Sequence, residues 1–167
     1  MLEKIMLDID KLKRNSNKSK FQSWILDNIE MLLNQIDENT LSNESSVEAD
    51  GQLMTIYLVH KMDSDTIVIL NILKDHVSLW VGENNLYFDI NSDINYFKDI
   101  YLNCLKGDYE TTEYFFKDKL IFSITYLLKY NDVQFIKSHT FFYPFYKWLY
   151  KGKFILKHSK YKSFINK

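Results

Sequence analysis

Val77-Ser-Leu-Trp-Val-Gly-Glu-Asn-Asn-Leu-Tyr-Phe-Asp-Ile90 decides the fold class. Val77, Leu79 and Val81 fall at every second position, and so do Leu86, Phe88 and Ile90, so each run offers one apolar face. Gly82-Glu-Asn-Asn85 between them supplies residues that tolerate the positive φ of a hairpin turn. The stretch therefore reads as a β-hairpin. Upstream, residues 53–60 (Leu-Met-Thr-Ile-Tyr-Leu-Val-His) and 66–73 (Thr-Ile-Val-Ile-Leu-Asn-Ile-Leu) flank the turn Met62-Asp-Ser-Asp65. Both runs are almost continuously apolar, which predicts central strands buried on both faces of the sheet. With the hairpin they make a four-stranded antiparallel meander.

Helices frame the meander. Leu2, Ile5, Met6, Ile9 and Leu12 have helical spacing, and a second amphipathic run covers about 21–36 with Phe21, Trp24, Ile25, Ile29, Leu32, Leu33 and Ile36 on one side. Residues 1–36 are thus expected to form a helical hairpin over the sheet. A third helix is expected over 93–106, with Ser92 as N-cap, Asp93 in the first turn, and Lys106 and Gly107 as closing residues. A second hairpin should span about 109–116 and 120–128, turning at Lys117-Asp-Lys119. Glu38-Asn-Thr-Leu-Ser-Asn-Glu-Ser-Ser-Val-Glu-Ala-Asp-Gly51 is polar and acidic and reads as a long exposed loop. The stretch 133–167 is ambiguous: Pro144 can start a helix carrying Phe145, Trp148 and Leu149, Gly152 can end it, and Phe154-Ile-Leu156 is either strand or helix.

The expected architecture is α+β: a mainly antiparallel sheet of about five to seven strands, packed by the N-terminal helical hairpin and the central helix. At 167 residues the chain fits one domain. It divides into the hairpin 1–36, the acidic loop 37–51, the sheet 52–128 with helix 93–106, and a basic aromatic segment 129–167. Trp24, Leu70, Val81 and Phe97 are the expected core. Aromatics at 16% with four Gly and one Pro favour regular elements over disorder. One cysteine, Cys104, excludes an intrachain disulfide, and no run reaches the 18 apolar residues or so of a membrane span. The N-terminus carries acids where a secretory leader needs an apolar core, so the expected location is cytoplasmic.

Net charge is −1, but it is split: residues 1–128 hold 12 Lys and Arg against 21 Asp and Glu, and residues 129–167 hold nine Lys against Asp132 alone. An acidic and a basic surface follow, or a basic segment packed on an acidic body. Known catalytic patterns are missing. His60 and His76 lie near strand ends and could approach one another, but no histidine has zinc-ligand spacing. Cys104 sits on the inner stripe of its helix as a small core residue, without the exposed cationic setting that a nucleophile needs. Glu110 with Glu113, and Asp63 with Asp65, are the available carboxylate pairs. The scattered glycines form no phosphate cradle. No cofactor, no metal and no enzymatic activity are expected. The segment Thr140–Phe164 interleaves aromatics with lysines, a composition that serves nucleic acid or an anionic membrane surface, or else a packed element with solvated lysines.

The two N-terminal helices, the meander ending at Val77–Asp89 and the helix-plus-hairpin Tyr96–Tyr126 together resemble the small α/β immunity proteins of bacterial contact-dependent inhibition and other polymorphic toxin systems. The resemblance covers about 50–130 in pattern. It implies a cytosolic protein that binds one cognate toxin domain, often a nuclease, and blocks its active site; it brings no catalytic residue. A nuclease needs a cationic cleft, so its blocker gains from clustered acids. Glu44 and Glu48 in the acidic loop, Asp63 and Asp65 at the strand turn, and Glu83 in the hairpin are the expected partner-binding residues. The alternatives are a nucleic-acid-binding protein using the Lys/aromatic C-terminal segment, and an enzyme of unrecognised type.

Overall fold

A computed structural model describes residues 7–15, 17–82, 84–88, 93–116, 118–129, 134–138 and 154–165. The chain runs through α1 (Ile9–Arg14), α2 (Lys20–Leu33), a 3₁₀ turn (Glu38–Thr40), β1 (Ser46–Asp50), β2 (Leu53–His60), β3 (Asp63–Ile72), β4 (Val77–Val81) and β5 (Asn84–Phe88). It continues through α3 (Ile94–Leu105), β6 (Tyr109–Phe116), β7 (Lys119–Leu127), β8 (Gln134–Ser138) and β9 (Ile155–Lys160). The class is α+β, as the alternation predicts. The strands, however, form two antiparallel sheets: a five-stranded meander β1-β2-β3-β4-β5 and a four-stranded sheet ordered β8-β7-β6-β9. The five strands of the meander lie within the expected five to seven, and the second sheet adds four.

The first helix starts at Ile9 with Asp8 as its N-cap, later than the spacing from Leu2 predicts, and residues 1–6 lie outside the described residues. In α2 the Ser19 hydroxyl accepts from the Gln22 amide while the Gln22 side chain accepts from the Ser19 amide, a capping box that fixes the start. Ile25, Leu26, Ile29, Leu32 and Leu33 are buried along one stripe. Trp24 falls beside that stripe and is 41% exposed, leaning on Phe21 with ring centroids 6.1 Å apart. It is therefore a surface residue and not the expected core member.

Strands β2 to β4 alternate over most of their length, Val59 and Ser78 being the outer positions that are also buried. Met54, Ile56, Leu58, Val68, Leu70, Ile72, Val77, Leu79 and Val81 are buried on the inner face, while Thr55, Tyr57, Ile69, Asn71 and Trp80 are half-buried on the outer. Burial on both faces is thus corrected: the inner face alone merges with the helix stripes into the core. The β4–β5 hairpin pairs Val77 with Phe88 and Val81 with Asn84, so Asn84 and Asn85 belong to the strand and not the turn. Gly82 enters the turn at φ +56°, where a side chain would be strained. The acidic loop is also corrected, because Ser46–Asp50 adds to β2 as an edge strand.

Helix α3 begins at Asp93, whose carboxylate accepts from the Asn95 and Tyr96 amides at 3.0 Å; the N-cap is Asp93 and not Ser92. Gly107 closes it at φ +68°, and a Cβ there would lie 2.5 Å from the Lys162 carbonyl oxygen. The β6–β7 turn passes through Asp118 at φ +63°. Of Phe154-Ile-Leu156, Ile155 and Leu156 open β9, which pairs with β6 from Phe115↔Ile155 to Glu110↔Lys160. The helix proposed from Pro144 lies outside the described residues.

Leu70 is fully buried between Ile56 and Leu79 in the centre of the meander. Leu70→Ala should lower the unfolding free energy by about 2–5 kcal/mol, through lost transfer energy plus a cavity. Urea denaturation measures it, and a loss near zero would place Leu70 outside the core.

Candidate functional site

The alternation of the meander leaves one broad feature on its outer face. Tyr57, Ile69 and Trp80 are register neighbours on β2, β3 and β4 and form an apolar row. Beside it runs a polar row in which Thr55 donates to Asn71 Oδ1 at 2.9 Å and Asn71 Nδ2 donates to Ser78 at 3.4 Å. These rows floor a shallow concavity of about 610 Å³, and Glu44 and Glu48 stand on its rim. Both glutamates are exposed, and neither has an ion pair among the described residues. Tyr87, 65% exposed, extends the aromatic surface along β5.

A second, smaller depression of about 250 Å³ lies where the two sheets meet, walled by Asp65, Glu113, Lys157 and Tyr161. Its base is a buried network: Asn84 Nδ2 donates to Thr125 Oγ1, Ser123 Oγ donates to Asn84 Oδ1, and the Thr111 and Thr125 hydroxyls are hydrogen-bonded to each other, each at 2.7 Å. These groups satisfy one another and join the sheets across a polar seam.

The five expected partner-binding residues therefore separate. Glu44 and Glu48 share the outer concavity. Asp65 lines the other depression. Asp63 is half-buried and accepts from the Thr66 hydroxyl at 2.7 Å and the Asp65 amide at 3.2 Å, so it shapes the start of β3. Glu83 lies outside the described residues. The aromatic floor was missed because the apolar runs in β2 and β3 read as two-sided burial; the strict partition of Ile56, Leu70 and Leu79 from Tyr57, Ile69 and Trp80 was the available signal.

The other chemical candidates have structural roles. Glu110 and Glu113 are an odd number of residues apart on β6, so they face opposite sides of the sheet. Each meets a lysine of β9: Glu110 with Lys160 at 2.9 Å, Glu113 with Lys157 at 3.6 Å. Cys104 is fully buried, and burial pushes its thiol well up, away from the nucleophilic thiolate. His60 and His76 sit at opposite ends of the meander, beside the β2–β3 and β3–β4 turns. Among the described residues no group of three or more His, Cys, Asp or Glu is placed to hold a metal ion, and no helix is long and apolar enough to cross a membrane. The chain matches no protein-family model, and no curated protein or solved structure is significantly similar to it.

His60 gives this architecture a pH dependence. It is buried, its Nδ1 accepts the Met62 amide at 3.1 Å, and its ring meets Phe164 edge-on at 5.6 Å. Burial lowers its pKa from 6.5, with Lys162 acting the same way and Asp63 and the Ser163 backbone opposing. The folded state thus holds the neutral ring while the unfolded chain protonates at about 6.5. The contribution is fully present above that pH and is lost as pH falls from 6.5 through the lower folded value. The melting temperature should decline over that window, and His60→Gln should show a flatter profile there. Equal slopes in the two proteins would remove His60 as the cause.

Proposed function

We propose that this protein is an immunity-type inhibitor that binds a cationic toxin domain, of the nuclease kind, and occludes the surface with which that domain grips phosphate. The observation that carries the reading is the outer face of the meander: a half-exposed aromatic floor with Glu44 and Glu48 on its rim. Apolar centres with charged rims are how protein partners gain affinity and select one another. Acids facing a cationic cleft also accelerate encounter, because opposite fields steer the approach. The floor is carried by β2, β3 and β4, so little ordering is required on binding.

The nucleic-acid reading draws less support. Two lysines of the described basic segment, Lys157 and Lys160, are matched by Glu113 and Glu110 across the β6–β9 ladder. Phosphate binding there would have to displace those acids. The aromatic stretch from Thr140 to Lys153 lies outside the described residues.

Co-expression with a toxin domain encoded beside the gene tests the proposal in cells. Glu44→Lys with Glu48→Lys should abolish protection and slow association by about tenfold or more at low salt, and the steep fall of the unmodified protein's association rate with rising salt should disappear in the variant. The melting temperature should hardly change, since exposed charges contribute within about 0.5 kcal/mol. Full protection by the folded double variant would sink the acidic-surface mechanism.

A further inference from the structure

The row Tyr57–Ile69–Trp80 has the chemistry to choose between the two cationic side chains of a partner. We propose that the row seats an arginine-bearing segment of the bound protein, a guanidinium lying on the Trp80 indole at the β4 side of the concavity while Glu44 and Glu48 at its β1 side draw the segment's positive charge. This deepens the inhibitor reading and rests on it. Trp80 lies on β4 opposite Ile69 on β3, and Ile69 lies opposite Tyr57 on β2. The ladder therefore fixes two ring systems on the outer face, one on each side of an aliphatic residue and about two strand spacings apart at roughly 4.8 Å each.

Such a floor suits a planar, weakly hydrated cation. Guanidinium stacks on aromatic faces and keeps its in-plane donors free for carboxylates. An ammonium is compact and strongly hydrated, and it gives up more solvation to enter the same place. The carboxylates stand on the rim of the same concavity. The neighbouring Thr55 and Asn71 side chains are already hydrogen-bonded to each other, so the floor asks for no polar group from the ligand. The concavity, at about 610 Å³ and shallow, is too broad for a lone side chain; it fits a segment that brings apolar residues along with the cation.

The experiment uses the whole chain and two short peptides, one alternating arginine with leucine and the other lysine with leucine. Indole N–H signals are followed by NMR, with Trp80→Phe identifying the Trp80 resonance. The arginine peptide should shift that resonance saturably and bind about two- to fivefold tighter than the lysine peptide. Glu44→Gln with Glu48→Gln should weaken both peptides. Trp80→Ala and, separately, Tyr57→Ala should weaken the arginine peptide and cancel its advantage. Equal binding of the two peptides, or binding that survives Trp80→Ala, would overturn the seat. So would a single-stranded oligonucleotide that shifts the Trp80 indole in place of the peptides. A melting temperature lowered by about 5 °C or more in both Trp80→Ala and Tyr57→Ala would show that the chain itself covers the face, and would also overturn it. The co-expression assay separates the two levels. Protection lost with the Glu44/Glu48 reversals but kept with Trp80→Ala leaves the inhibitor reading standing and removes the arginine seat. Protection lost with neither removes both.

Discussion

Phe164 holds together parts of the chain that have no other reason to meet. Its ring is fully buried, edge-on to His60 at the end of β2. Its amide donates to the Leu105 carbonyl at the end of α3, and its carbonyl accepts from the Asp37 amide, both at 2.8 Å. The Thr40 hydroxyl reaches the same carbonyl at 3.3 Å, and Ile165 bridges Ile36 just after α2. Closing contacts across 124 residues costs loop entropy, and that cost must be met by burial. The backbone just before Phe164 crosses Gly107 so closely that a glycine is required there, so the end of α3 is shaped by the tail it receives. The helices are thereby held on the inner face of the meander, and the outer face is left for other uses.

The charge split also resolves into geometry. Lys129 pairs with Asp99 at 2.8 Å, and the β9 lysines pair with the β6 glutamates. Part of the basic segment is thus laid against the acidic body, which was the plainer of the two readings of the sequence. Each exposed pair contributes little to stability, on the order of 0–1 kcal/mol. Their larger effect is on the field. The glutamates of β6 are matched locally, whereas no ion pair engages Glu44 or Glu48 among the described residues, so their charge stays available beside the meander's outer face.

What could be read in advance follows the strength of the local signals. The hairpin around Gly82, the helix closed by Gly107 and the β6–β7 hairpin each carry a period and a punctuating residue, and they form as expected. Strand β1 carries neither, since of Ser46-Val-Glu-Ala-Asp50 only Val47 is buried. An edge strand with one open face needs little apolar character, so composition assigned it to a loop. Trp24 shows the opposite error, a large apolar residue placed in the core although its helical position lies beside the buried stripe. Glu44 and Glu48 stood out as acids, but their shared surface required the pairing of β1 with β2. The two-sheet division was beyond periodicity, because the Asn84, Thr111, Ser123 and Thr125 seam joins residues distant in sequence.

The way β1 is finished bears on how a partner is met. An exposed edge strand normally invites a foreign strand to extend the sheet. Here α1 lies against β1, and the Lys11 ammonium donates to the Val47 carbonyl at 3.3 Å. That carbonyl is one of the edge groups an added strand would need. The cation and helix make that edge a poor template, while the outer-face side chains of the same strand, Ser46 and Glu48, remain beside the concavity. Side-chain docking on the face is left as the accessible mode. A partner held there would be selected by ring, aliphatic and carboxylate positions, and not by backbone hydrogen bonds that any extended chain could supply. Contacts of that kind read side chains, and so would distinguish partners that share a backbone fold.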